Sequence, residues 1–149
     1  MYKAVSAEEA VKVIKSNNRV YIQAAASASQ LLINAMSARH EELRNVEVCH
    51  LHIEGDAPYA NPIYKDSFHV NSLFIGKNVR HTLKAGNGSY TPVFLSEVPN
   101  LFKRNVLPVD VALIQVSTPD KHGYCSLGVS VEAILSVITN AKHVIAHIN

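Results

Sequence analysis

Apolar positions recur along the chain in two periods, and the two periods alternate. Ser6-Ala7-Glu8-Glu9 opens a helix as a capping box, with Ser6 as N-cap and Glu9 reaching back. Ala10, Val11 and Ile14 give that helix one apolar stripe, and Ser16-Asn17-Asn18 ends it. Residues 19–24 (R-V-Y-I-Q-A) read as a first strand. A loop of small residues follows to Ser29, which caps a helix over residues 30–43 with Leu31, Leu32, Ala35 and Met36 on one face. Residues 46–53 read as a second strand and 68–75 as a third. Between them, residues 54–65 hold Gly55, Pro58 and Pro62. A loop of about twelve residues inside a compact domain is more often functional than accidental.

The second half repeats the alternation. Residues 77–85 predict a short helix ending at Gly86, and Gly86-Asn87-Gly88-Ser89 predicts a turn. Ser96 is placed to cap the next helix, which runs to Lys103 with Pro99 in its first turn. Val111, Ala112, Leu113, Ile114 and Val116 form a near-continuous apolar run, the pattern of a central parallel strand covered on both faces. A last helix starts at Val129 or Ser130 and passes through Val137 and Ile138, and residues 143–148 give a fifth strand. Strand-helix alternation predicts an α/β domain, with a mostly parallel sheet and helices on both faces.

Composition narrows the function classes. The chain has 149 residues, 48% apolar and 17% charged, which suits one ordinary globular domain. A net charge of +2 with scattered Lys and Arg gives no electrostatic case for nucleic acid or a membrane surface. No apolar run reaches the ~18 residues of a membrane span. Cys49 and Cys125 have no metal-ligand spacing, and the absence of a signal peptide predicts a reduced, cytoplasmic protein.

Ligands of open α/β sheets bind beyond the carboxyl ends of the strands. Two stretches sit at such ends. Residues 24–29 (A-A-A-S-A-S) lie between strand and helix, where phosphate loops sit, but carry no glycine. The reading of this loop stays open between a ligand contact and a tight packed turn. Residues 117–128 (S-T-P-D-K-H-G-Y-C-S-L-G) are the first candidate for a site wall. His122 beside Asp120 suggests a general base, although a loop hydrogen bond explains the pair as well. Cys125 is a nucleophile only in the abstract. His50 and His52 share a strand face with Glu54, a zinc-like pattern that lacks a further ligand nearby. A metal is therefore not expected.

Three segments in order carry a family resemblance. Asp110 to Ser130 reads D-V-A-L-I-Q-V-S-x-P-D-x-H-G-Y-x-S-L-G-V-S, Tyr90 to Pro99 reads Y-x-P-x-x-L-S-E-x-P, and Ala141 to Asn149 reads A-K-x-V-I-A-x-x-N. Together they resemble the acetyl-CoA hydrolase/4-hydroxybutyrate (acetate) CoA-transferase family. Members are much longer, with two related α/β halves, and residues 1–149 look like the amino-terminal half alone. The resemblance implies a CoA-transferase-like fold. It implies exchange of CoA between an acyl-CoA and a small carboxylic acid such as 4-hydroxybutyrate, butyrate or acetate, through a glutamyl-CoA thioester. No permanent cofactor is implied; coenzyme A enters as substrate. The nucleophilic glutamate belongs to the carboxy-terminal half, and neither Glu54 nor Glu97 matches its surroundings. The chain alone is thus expected to be inactive, to partner that second half and to form a homo-oligomer. Substrate and CoA contacts are carried over to Ala26, Ser27, Ser29, Gly88, Ser89, Tyr90, Pro92, His122, Gly123, Tyr124 and Ser126. Three other readings are an acetyl-CoA hydrolase, a non-catalytic binding module of this fold, and a stand-alone hydrolytic enzyme using Cys125 or His122.

Overall fold

The structure, a computed structural model, describes residues 4–149. Ser6 caps α1 (Ala7–Ala10) by accepting the Glu9 N–H, and the helix tightens into a 3₁₀ turn over Val11–Val13. β1 (Arg19–Ile22), α2 (Gln30–Ser37) and β2 (Val46–His50) follow. Two 3₁₀ turns (Pro58–Ala60, Pro62–Tyr64) occupy the loop before β3 (Phe68–Ser72). α3 (Thr82–Ala85) leads to β4 (Gly88–Tyr90), and a 3₁₀ turn runs into α4 (Val98–Lys103). β5 (Val111–Val116), α5 (Ile134–Asn140) and β6 (His143–Ile148) complete the chain.

The six strands form one sheet in the order β4-β3-β2-β1-β5-β6, and every pairing is parallel. Side chains of a strand alternate between faces, and the core divides accordingly. On one face Val20, Ile22, Val48, Val70, Val111 and Leu113 pack under Val11, Ile14, Ile33, Met36 and Tyr59. On the other, Tyr21, Cys49, Ala112 and Ile114 pack under Val98 and Phe102 of α4 and Ile134 and Val137 of α5. The Phe102 ring meets Tyr21 edge-on, with centroids 5.2 Å apart. Helices therefore cover both faces, as the alternation predicts.

Four expectations are corrected. The predicted turn at Gly86–Ser89 is in part a sixth strand, β4, which pairs with β3 through Val70 and Gly88. Helix α2 stops at Ser37, not at residue 43, and turns as it leaves. Its buried positions are Leu32, Ile33, Met36 and Ser37, while Leu31 is half exposed beside a groove along β6. The last helix begins at Ile134, because the residues before it are held in a loop against β1. Glu97, not Ser96, occupies the cap position of α4, and Pro99 sits in the first turn as expected.

Candidate functional site

All carboxyl ends lie along one rim of a parallel sheet. At β1 and β5, neighbours in the sheet, the chain departs in opposite directions, to β2 from one and to β6 from the other. Loops that diverge at such a switch point leave a crevice between them. Here the crevice measures about 180 Å³ and is lined by Ala26 and Ser27 from the β1–α2 loop and by Gln115, Ser117, Ser126 and Gly128 from β5 and its loop.

Its near wall is strained. Ala25 adopts φ 51°, a left-handed conformation that costs a residue with a Cβ about 1–2 kcal/mol. Hydrogen bonds from both sides hold it there: its N–H donates to the His52 carbonyl at 2.7 Å, and its carbonyl accepts from the Glu54 N–H. Two residues on, Ser27 is 3% exposed, and its hydroxyl, which no hydrogen bond among the described residues uses, opens to the crevice rather than being sealed in the core. Ser29 is spent: its hydroxyl accepts the Leu32 N–H as N-cap of α2 and bonds the His147 Nδ1 at 2.9 Å.

The far wall is tied to β1 by Gln23, a fully buried polar side chain. Its Nε2 donates to the carbonyls of Leu127 (2.9 Å) and Ser130 (2.8 Å), and its Oε1 accepts the Gln115 N–H (2.8 Å). Gly128 faces Ser27 so closely that a Cβ there would lie 3.5 Å from the Ser27 hydroxyl oxygen. Further out, Asp120 accepts the N–H groups of His122 and Tyr124, and Gly123 turns through φ 87°. The Asp120–His122 pair is thus a loop hydrogen bond from carboxylate to backbone, with the imidazole exposed. Tyr124 is 76% exposed, and Ser126 accepts the Gly128 N–H. Gly123 and Cys125 border a different concavity, a groove of about 690 Å³ between β6, α2 and the segment before α1.

Gly88, Ser89, Tyr90 and Pro92 are not brought to the crevice. They lie on and just after the edge strand β4, three strand spacings or ~14 Å from β1. Gly88 is required by packing, since a Cβ would lie 2.0 Å from Thr82 Oγ1. Ser89 bonds His69 Nε2 at 3.0 Å, and Tyr90 and Pro92 face outward. A polar ladder holds the segment that follows: Thr91 donates to Asn71, Asn71 to Glu47, and Arg19 grips Glu47 with two N–H groups.

Comparison with known proteins places this geometry. The model of the acetyl-CoA hydrolase/transferase N-terminal domain matches residues 1–149. The chain belongs to that family. It is 42% identical over 147 residues to a 4-hydroxybutyrate coenzyme A transferase of Clostridium kluyveri, covering 99% of this chain and 34% of that protein. It is 38% identical over 148 residues to a succinyl-CoA:acetate/propanoyl-CoA:succinate CoA transferase of Fasciola hepatica, covering 98% and 30%. The chain therefore spans about a third of the length of the curated relatives it matches. Among solved structures, a 4-hydroxybutyrate CoA-transferase of Porphyromonas gingivalis superposes with a TM-score of 0.77 at 33% identity, covering 97% of this chain and 33% of that one. RipA of Yersinia pestis shares the fold with a TM-score of 0.87 at 21% identity, covering 97% and 36%.

Within this family domain, the remaining chemical candidates find other roles. His50 is fully buried and uses both ring nitrogens, Nδ1 toward the Leu51 carbonyl and Nε2 toward the Tyr59 hydroxyl at 2.8 Å. Burial pushes its pKa down to about 4, so the ring is neutral and its lone pair is taken by Tyr59. The His52 ring lies against Phe74 instead, and Glu54 is exposed. No group of three His, Cys, Asp or Glu that could hold a metal occurs among the described residues. Glu97 accepts from Asn100, and no helix of the described residues is long and apolar enough to cross a membrane.

Sequence reasoning missed Gln23 and Glu132. Gln23 was legible only as one polar residue at the end of an apolar run. Glu132, just before α5, has a carboxyl raised by burial, with the nearby His52 pulling it back down. Its proximity to His52 comes from tertiary structure, which no spacing along the chain reveals.

Proposed function

We propose that this chain is the amino-terminal α/β domain of a CoA-transferase acting on a small carboxylate such as 4-hydroxybutyrate, butyrate or acetate, and that the switch-point crevice holds the carboxyl or thioester end of the acyl group. The observation that carries the reading is the Ser27 hydroxyl, which has no protein partner among the described residues and opens into a crevice of about 180 Å³. A hydroxyl left without a protein partner is free to donate to an oxygen of bound substrate, a bond worth about 1.5–3 kcal/mol when the acceptor is a carboxylate. The volume suits a short acid rather than the nucleotide part of CoA, which must lie outside it.

The side chains of the lining contribute hydroxyls (Ser27, Ser117, Ser126) and carboxamides (Gln115, Asn149) but no carboxylate, thiol or imidazole. The domain therefore positions substrate, and the nucleophile is a glutamate of a carboxy-terminal half. Its carboxylate oxygen adds to the acyl-CoA carbonyl, and the carbon–sulfur bond breaks to release CoA thiolate and leave a mixed anhydride. The thiolate then attacks the glutamyl carbonyl and expels the first acid as carboxylate, giving a glutamyl-CoA thioester. The second acid reverses both steps. Water attacking the same intermediates would give the hydrolase activity that the family description also names.

The test is a CoA-exchange assay with acetyl-CoA and 4-hydroxybutyrate or butyrate. It is run on this chain alone and on a polypeptide that continues past Asn149 through a second α/β half. Exchange by the longer protein only supports the reading. Equal exchange by both would overturn it and turn attention to Glu54, Glu97 and Cys125. Saturable ligand binding with no exchange by either would favour a binding module.

A further inference from the structure

Gln23 is the one polar side chain of β1 and its exit that is fully buried and bonded to three backbone groups at once. It sits at the switch point, and its partners are not local. Gln115 lies on β5, and the carbonyls of Leu127 and Ser130 lie on the loop that forms the far wall. That loop has few other anchors besides the packing of Leu127 against the core beneath α4 and α5. Ser126 and Ser117 exchange hydrogen bonds with each other, and Gly128 bonds Ser126, so these contacts keep the loop's shape but do not fix it to β1. Tyr124 and Val129 are 76% and 84% exposed and anchor nothing. The near wall, by contrast, is fixed by Ala25, bonded to the β2 exit on both sides.

We propose that Gln23 is the positioning residue of the crevice, its carboxamide setting where Gly128 stands against Ser27 at the edge of the space that receives a carboxylate group. The proposal rests on the reading of the crevice given above. Gln23 touches no substrate. It acts through the Leu127 and Ser130 carbonyls, and its two N–H donors carry the effect.

The donors and the acceptor of one side chain can be separated. Gln23→Glu keeps an oxygen for the Gln115 N–H but turns a second oxygen toward two carbonyls. Gln23→Met, close in volume, removes all three bonds without burying a charge, and serves if the glutamate variant does not fold. The measurement is amide hydrogen exchange, followed by titration of the wild type and variants with acetate, observed on the Ser27 and Gly128 amide resonances.

In Gln23→Glu the Ser126 and Gly128 amides should exchange at least tenfold faster, while the Gln115 amide and the β1 amides stay within threefold. Acidification, with intrinsic exchange corrected for, should restore part of the protection, because a protonated carboxyl can donate to one carbonyl. In Gln23→Met the Gln115 amide should be released as well. Acetate affinity should fall at least tenfold in both. Unchanged loop exchange in a folded variant would overturn the proposal, as would a released loop that still binds acetate like the wild type. A wild type that shows no saturable shift with acetate sinks the crevice reading itself and the positioning role with it. That outcome is distinguished from failure of the Gln23 proposal alone by its presence before any substitution.

Discussion

Gly88 was carried over as a ligand contact, and its surroundings make a sharper demand. A Cβ at this position would lie 2.0 Å from Thr82 Oγ1, 2.6 Å from Thr82 Cβ and 3.1 Å from the Thr82 carbonyl carbon. Ordinary contact begins near 3.4 Å, so the hydroxyl would have to retreat by 3.4 − 2.0 = 1.4 Å. It has nowhere to go. Thr82 is 1% exposed, and its hydroxyl donates to the Val79 carbonyl at 2.7 Å. Either that bond breaks or β4 moves off β3, where Gly88 pairs with Val70. Gly88→Ala should therefore lose about 2 kcal/mol, within the range for overpacking. For a domain of this size that lowers Tm by roughly 4–8 °C. The assay is urea unfolding of Gly88→Ala, Thr82→Ala and the double variant. Removing the hydroxyl relieves the closest contact, so the double variant should recover about 1 kcal/mol relative to the sum of the singles. A loss under about 0.5 kcal/mol in Gly88→Ala, or strict additivity, would refute the packing argument.

Four other outcomes are expected. Ala25→Gly should stabilise the domain by about 0.5–1 kcal/mol, because relief of the left-handed strain exceeds the added chain entropy; thermal unfolding reads it, and destabilisation would deny the strain. His50 has a folded pKa of about 4 against ~6.5 unfolded, so its contribution is complete above pH 6.5 and is lost as pH falls toward 4. The loss amounts to about 3 kcal/mol, and a His50→Gln variant should show a flatter stability profile over that window. Tyr59→Phe should cost about 1–3 kcal/mol by stranding the His50 Nε2 acceptor, measured by denaturant titration at neutral pH. A thiol-alkylating reagent followed by mass spectrometry should label exposed Cys125 in the native protein and Cys49 only after unfolding, because burial leaves Cys49 inaccessible and pushes its thiol up to about 12.

Much of the fold was legible because apolar periodicity and caps act locally. Ser6 and Ser29 cap where their side chains suggest, and the run from Val111 to Val116 is an interior strand, flanked by β1 and the edge strand β6, though not the central one. The misses have tertiary causes. β4 is only three residues, begins with a glycine and alternates nothing, so Gly88 reads as a turn until Thr82 is seen against it. Leu31 belongs to the predicted apolar stripe but faces the groove along β6, with Val5 and Val144 also about half exposed there. At the site, the two loops that form the crevice were both found, because strand ends are readable. Their joining was not, because Gln23 works through carbonyls more than a hundred residues away.

The division of the candidate residues between two places on the rim is itself informative. Ala26, Ser27 and Ser126 share the crevice, whereas Gly88 to Pro92 lie ~14 Å away along the sheet. On the proposed reading a short carboxylate cannot reach both, whereas an acyl-CoA can, since its acyl end and its long pantetheine and nucleotide parts need separate supports. Exposed Phe74 follows β3, and exposed Phe94 and Leu95 follow the edge strand β4. A positioning floor, two separated groups of candidate residues and no carboxylate among the crevice side chains fit the proposal that this domain supplies one half of a cleft. The chemistry proposed for it follows from that incompleteness. On the proposed reading the domain fixes where the carbonyl of the acyl group sits, and the attacking glutamate oxygen comes from the carboxy-terminal half.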